Sequence, residues 1–276
     1  MPGIAFIGGG NMASALIGGM IARGTPPNQV RVAEPFDRQR QVLAQRFAGI
    51  DVRTGVSGDV LDDLALLVLA VKPQQMREAL TPLASLVADV PAVLSVAAGI
   101  RIEDMSRWLS GYTRIMRAMP NTPALIGAGI TGLYVPQGIQ DAQQRIAIAM
   151  LESAGEVVRV DDEAMLDAVT GISASGPAYV FYFLEALERS ATELGFTPED
   201  SRKLAYATFD GAIRLAKASR EDPATLRAQV TSKGGTTARG IAALDEHRVA
   251  EAIVACAKAA AVRARELGDE FGRDQG

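Results

Sequence analysis

A turn dense in glycine, placed directly behind the first apolar run, restricts what this chain can fold into more than any other feature. Ile4-Ala5-Phe6-Ile7 leads into Gly8-Gly9-Gly10-Asn11-Met12-Ala13 and then Ser14-Ala15-Leu16-Ile17. Read as G-x-G-x-x-A between a strand and a helix, this has the spacing of the dinucleotide fingerprint. Gly8 allows the tight turn, Gly10 lets the backbone approach a pyrophosphate, and the small Ala13 lets the helix pack closely on the strand. The anion then faces a helix N-terminus, where free N–H groups and the dipole favour negative charge. Glycine turns also join strands to helices with no ligand, so context decides. Here the motif opens a βαβ pattern, and an acid, Glu34, ends the second apolar run. That is about the distance expected of a ribose ligand.

The choice of dinucleotide stays open. A carboxylate at Glu34 would repel a 2′-phosphate and favours NADH, whereas Arg38 and Arg40 argue for NADPH. Charge leans toward NADH. Competing both cofactors at equal concentration is the direct test.

Behind the turn, the first 160 or so positions alternate short apolar runs with amphipathic ones, the rhythm of parallel strands joined by crossover helices. Strands are predicted at 4–7, 30–33, 65–71, 92–97, 114–119, 130–134 and 157–160. The run Leu66-Leu67-Val68-Leu69-Ala70-Val71 is apolar without alternation, as a strand covered on both faces should be. After Asp161-Asp162-Glu163 the β-branched runs give way to Ala- and Leu-rich stretches at helical spacing. The expected fold class is therefore α/β: an N-terminal Rossmann-like doubly wound sheet over residues 1–162, then an all-helical domain over 163–276. Pro177 precedes an apolar stretch, 178–187, and reads as the first-turn proline of a helix buried on most sides. Thr197-Pro198-Glu199-Asp200 and Asp222-Pro223 each read as a cap followed by a first-turn proline. A helix apolar all round needs cover that a small domain does not supply, which predicts a homodimer or larger homo-oligomer.

Composition narrows the partners. The 276 residues are 48% hydrophobic and 22% charged, as in an ordinary packed globule, and the formal net charge of −4 offers no basic stripe for nucleic acid or an anionic membrane. No run approaches the roughly 18 apolar residues of a membrane span, and no signal peptide is evident, so a cytoplasmic home is expected. The one cysteine, Cys256, reads as a buried small hydrophobe.

The chemistry has to proceed without the usual acid–base partner. The one histidine, His247, stands in the charged stretch Asp245-Glu246-His247-Arg248 and reads as an exposed helix start. No Cys/His cluster suits a metal, so none is expected. Two polar segments, 170–177 and 230–237, carry consecutive small and hydroxyl residues. They would suit binding of a carboxylate by backbone N–H groups, and equally suit capped helix–helix connections.

At this point the residues resemble a known family. Besides the glycine turn, the chain carries Ala70-Val71-Lys72-Pro73, Ala97-Ala98-Gly99, Met119-Pro120-Asn121-Thr122-Pro123, Asp167-Ala168-Val169-Thr170-Gly171, Ser175-Gly176-Pro177-Ala178-Tyr179 and Gly234-Gly235-Thr236-Thr237. In that order and spacing these resemble the Δ1-pyrroline-5-carboxylate reductases, from about position 4 to 267. The resemblance implies a Rossmann domain followed by a helical dimerisation domain, and hydride transfer from NADPH or NADH to a cyclic imine carboxylate, giving L-proline. It implies that Phe6, Ile7, Gly8, Gly9, Gly10, Asn11 and Met12, with Ala70, Val71, Lys72, Pro73, Ala97, Ala98 and Gly99, line the cofactor. It implies that Glu163, Ser232, Thr236 and Thr237 contact substrate in a site shared between subunits, the Thr237 hydroxyl reaching the ring nitrogen. Two positions depart from the pattern: Ala174 replaces a common glycine and Lys233 a common proline. A cyclic imine can take its proton from water, which would explain the missing base. Reduction of a related cyclic imine, or dinucleotide binding without turnover, are the alternatives.

Overall fold

The computed structural model describes residues 3–273. The outer ends of the two expected domains, 1–2 and 274–276, lie outside the described residues. Two compact units are present, one of residues 3–175 with 258–273 and one of 176–257. Position 162 thus falls within the first unit, because the helix after the last strand packs back on the sheet and the far half of the C-terminal helix returns to it.

In the first unit β1 (Gly3–Ile7) is followed by α1 (Asn11–Ala22), β2 (Val30–Ala33), α2 (Asp37–Arg46), β3 (Asp51–Arg53), α3 (Gly58–Leu61) and β4 (Leu64–Leu69). Then come α4 (Met76–Leu80), β5 (Val93–Ser95), α5 (Ile102–Trp108), β6 (Ile115–Met119), β7 (Gly129–Tyr134), α6 (Asp141–Glu152), β8 (Gly155–Val160) and α7 (Met165–Val169). The strands form one sheet in the order β3-β2-β1-β4-β5-β6-β7-β8. Every pair is parallel except β6 with β7. Only a short 3-10 turn joins those two, and a parallel return needs a longer crossover.

The apolar run of β4 is explained by its two faces. Leu66 and Val68 pack with Phe6, Leu16 and Val32 on one side, while Leu67 and Leu69 pack with Ala5, Ile7 and Val93 on the other. All six β4 residues are buried. Strand β3 escaped the sequence reading for the opposite reason: Asp51-Val52-Arg53 is a three-residue edge strand, paired on one side only and with one apolar residue.

The second unit contains α8 (Gly176–Glu193), α9 (Pro198–Ala218), α10 (Pro223–Gln229), α11 (Thr236–Glu246) and the first part of α12 (Val249–Gly272). The caps stand where the sequence puts them. Thr197 Oγ1 accepts the N–H of Asp200 at 3.2 Å and Asp222 Oδ1 that of Thr225 at 2.9 Å, each ahead of a first-turn proline. The expected burial of α8 is not seen within one chain: none of its residues is buried, and Phe181 and Tyr182 are 59% and 71% exposed. Cys256 is exposed on α12 rather than buried. His247 closes α11 instead of starting a helix. No helix among the described residues is long and apolar enough to cross a membrane.

Candidate active site

Strand β1 lies between β2 and β4, so the chain leaves β1 in one direction and β4 in the other. At such a reversal the crossover helices diverge and leave a crevice at the carboxyl ends of the strands, the ligand position of open α/β sheets. Gly8 to Met12 follow β1, Ala70 to Pro73 follow β4, and Ala97 to Gly99 come just after β5. Residues 8–12, 70–73 and 97–99 thus follow the carboxyl ends of three adjacent strands, whereas Phe6 and Ile7 of the expected cofactor set lie buried within β1. The ladder continues past the strand ends and holds their turns in place. Gly8 N–H donates to Ala33 at 2.8 Å, Ala70 N–H to Ile7 at 2.8 Å, and Val96 N–H to Leu69 at 3.0 Å.

The turn itself has the features of an anion cradle. Gly8 has φ +92°, and a Cβ there would stand 2.8 Å from the Ala70 carbonyl oxygen. Gly10 is the N-cap of α1, with no side-chain cap and no acid in the first turn. The first intrahelical bond runs from Ser14 to Gly10, so the preceding amides have no helical acceptor. Space beside Gly10 is open for 4 Å around the position of a Cβ. Uncapped amides facing open space fit a dinucleotide pyrophosphate.

Glu34 does not stand free at the crevice as the sequence suggested. It is 5% exposed, with Oε2 accepting the N–H of Gly9 at 2.8 Å and Oε1 that of Phe36 at 2.9 Å. Arg40 likewise turns inward, donating to the carbonyls of Glu34 and Pro35 at 3.0 and 2.7 Å and pairing with Asp37. Arg38 is exposed.

Glu163 also belongs to the first unit. Its Oε1 accepts from Arg117 at 2.7 Å and from the N–H of Ile102 at 2.8 Å. Arg117 and Glu163 border a cavity of about 330 Å³ whose wall includes Gly99, Arg101, Asp167 and Arg265. Burial pushes the Asp167 carboxyl up, against the opposing pull of Arg117, Arg101 and Arg265. None of these arginines was singled out from the sequence, since Arg117 inside a strand, Arg101 ahead of α5 and Arg265 in α12 each give no local sign of a partner.

The two polar segments behave differently. Residues 170–174 form a π-helical turn rather than a loop, continuing α7 toward α8. Thr170 and Ser173 donate to the carbonyls of Leu166 and Val169 at 2.8 and 3.0 Å, so these hydroxyls serve their own backbone. Asn121, 8% exposed, holds this turn by donating to the Ser173 carbonyl at 3.1 Å while accepting from Ile130 N–H. The second segment is a turn that opens α11. Ser232, Thr236 and Thr237 are all exposed there, and Gly235, the N-cap, has no side-chain cap bond. These three expected substrate residues lie together.

The family profile described as pyrroline-5-carboxylate reductase dimerisation matches residues 163–267, and that described as NADP oxidoreductase, coenzyme F420-dependent matches residues 3–99. The pyrroline-5-carboxylate reductase of Pseudomonas aeruginosa is 38% identical over 272 residues, covering 99% of each chain. The chain belongs to the pyrroline-5-carboxylate reductases. A solved pyrroline-5-carboxylate reductase from Coxiella burnetii superimposes with a TM-score of 0.90 at 34% identity, over 96% of this chain and 98% of that one. The Plasmodium falciparum pyrroline carboxylate reductase with NADP bound shares the fold, with a TM-score of 0.84 at 23% identity over 97% and 98% of the two chains.

Within this family the two departures have different consequences. Ala174 sits in the π-helical turn and is not among the non-glycine residues with positive φ, which are Asp63, Ser110 and Arg248, so alanine there adds no backbone strain. Lys233 is the second residue of a β-turn closed by Gly235 N–H to Ser232 O at 3.0 Å, with Gly234 third at φ +72°. A positive φ at the third position alone is the type II pattern, in which proline is favoured second. Lys233→Pro is therefore expected to stabilise the protein by about 0.4–1 kcal/mol, chiefly by restricting the unfolded chain. Thermal melts would check this: a rise of roughly 1–4 °C is expected, and a fall would show that the turn rejects the ring.

Proposed function

We propose that this reductase converts 1-pyrroline-5-carboxylate to L-proline with NADPH or NADH, using Thr237 to orient the ring nitrogen and the opening turn of α11 to hold the carboxylate. The observation that carries this reading is the uncapped start of α1 beneath an open glycine turn at the sheet's crevice, in a chain whose relatives are named for this reaction.

The residues divide the work. The amides at the start of α1 hold the pyrophosphate, with the dipole assisting. Ala70 to Pro73 and Ala97 to Gly99 form the walls of the crest beyond it. Bound there, the reduced nicotinamide supplies the hydride. Ser232, Thr236 and the free amides of α11 bind the substrate carboxylate, and the Thr237 hydroxyl bonds the ring nitrogen. The imine carbon takes the hydride while the nitrogen, protonated from water, becomes the ring amine. Holding the carbon in near-attack geometry supplies most of the acceleration. No side-chain base is required.

The test is direct. Mixing the purified protein with the imine and following loss of reduced-nicotinamide absorbance should show turnover, and a background rate with both cofactors would overturn the proposal. Thr237→Val should lower kcat/KM by about 1.5–3 kcal/mol, the worth of one hydrogen bond to a charged group. The residue is exposed, so the variant should melt like the parent protein. Unchanged kinetics would remove the assigned role.

The working form in this proposal is a homodimer or larger homo-oligomer in the cytoplasm, with a small-molecule substrate and no nucleic-acid partner. Exposed Val180, Phe181 and Tyr182 on α8 and Tyr206, Ile213 and Leu215 on α9 would be covered by a second copy. Light scattering that found only monomers would contradict it.

A further inference from the structure

We infer that Glu34 is a positioning residue: it sets the pyrophosphate turn for either cofactor and does not discriminate between them. The inference rests on the cofactor site proposed above. An acid that reads the adenosine ribose must turn its carboxylate to the crevice, where the ribose hydroxyls can reach it. Glu34 is 5% exposed, and each of its oxygens accepts a backbone N–H, one from Gly9 in the turn and one from Phe36 in the link to α2. Its carboxylate ties two loops together.

The first turn of α2 holds Gly9 by its other polar group. Gln39 Nε2 donates to the Gly9 carbonyl at 2.6 Å. Across a planar trans peptide the C=O and the following N–H point in opposite directions. Holding the Gly9 carbonyl toward Gln39 therefore turns the Gly10 N–H away from the β2–α2 link, and holding the Gly9 N–H turns the Gly8 carbonyl away from Glu34. Two consecutive peptide planes of the turn are fixed by residues that need never touch a nucleotide. The adenosine 2′ group differs between the two cofactors, whereas the pyrophosphate is common to both. A residue that acts through the turn must therefore affect both nucleotides alike.

The experiment uses the full chain without imine, titrating NADPH and NADH and reading the fluorescence of the reduced nicotinamide, with thermal melts in parallel. For Glu34→Ala both dissociation constants should rise by the same factor, roughly tenfold or more, as expected when bonds to a charged acceptor are lost. Glu34→Gln should fall between, because its amide oxygen can keep one of the two bonds, and it carries the test if the alanine variant does not fold. Weakened NADH binding with NADPH unchanged or tightened would show a ribose reader and overturn the inference. So would lower melting temperatures with both dissociation constants unchanged, the mark of a merely structural role. Parent protein that binds neither nucleotide would instead overturn the cofactor site itself, and this inference with it.

Discussion

Gly8→Ala is expected to weaken binding of both NADPH and NADH on the order of a hundredfold, about what losing one or two hydrogen bonds to a charged group costs. The residue stands at φ +92°, and an added Cβ would lie 2.8 Å from the Ala70 carbonyl oxygen and 2.9 Å from Val71 Cγ1. The first contact is with backbone of the neighbouring crossover, so no side-chain rotation relieves it. Nor can the turn simply retreat, because Gly8 N–H is bonded to the Ala33 carbonyl at 2.8 Å. Relief requires moving the start of α1 away from β4, which displaces the amides that hold the pyrophosphate. The strained backbone should also lower stability by about 1–3 kcal/mol. Nucleotide titration and a thermal melt read the two effects separately. Affinity within twofold of the parent would show that the turn does not define the cofactor site.

Glu163→Ala should be the most destabilising of the site substitutions, by about 3–5 kcal/mol, the usual loss when one partner of a buried ion pair is removed. The asymmetry of the pair explains the size. Arg117 is 6% exposed along its side chain and Glu163 is 26% exposed, so the cation has far less access to water. Without Glu163 it loses its hydrogen-bonded carboxylate and keeps only the charge of Asp167 nearby, its Nε already lacks a partner, and the Ile102 N–H loses its acceptor as well. The melting temperature should fall by roughly 6–20 °C at the 2–4 °C per kcal/mol of a chain this large. Family resemblance assigns Glu163 to substrate, and the measurement separates the two roles. A stable variant with a raised KM for the imine would favour substrate contact, whereas an early melt with little change in KM would assign Glu163 to the fold.

Much of the fold was legible because its signals are local. A buried parallel strand must be apolar on both faces, so β4 reads as an unbroken run. A helix needs its first amides satisfied, so Thr197 and Asp222 mark their helices before any packing is known. A tight turn over a pyrophosphate needs glycine, so Gly8 and Gly10 announce the crest. Where a residue's role depends on what lies across from it, the same reasoning failed. β7 runs antiparallel to β6 because the connection is too short to cross over, yet its sequence looks like that of its parallel neighbours. The hydroxyls at 170 and 173 suited an anion and a capped connection equally by sequence, and only the structure shows them bonding their own helix.

The chain's order of residues determined, by itself, a nucleotide-binding α/β sheet followed by helices, because period, capping and glycine conformation act within a few positions of one another. Only the tertiary structure decided that Glu34 accepts the N–H groups of Gly9 and Phe36, that Glu163 pairs with Arg117, and that α8 buries none of its residues within one chain. Charge and apolarity written along a sequence carry no direction. A side chain acquires one only when the elements around it are in place.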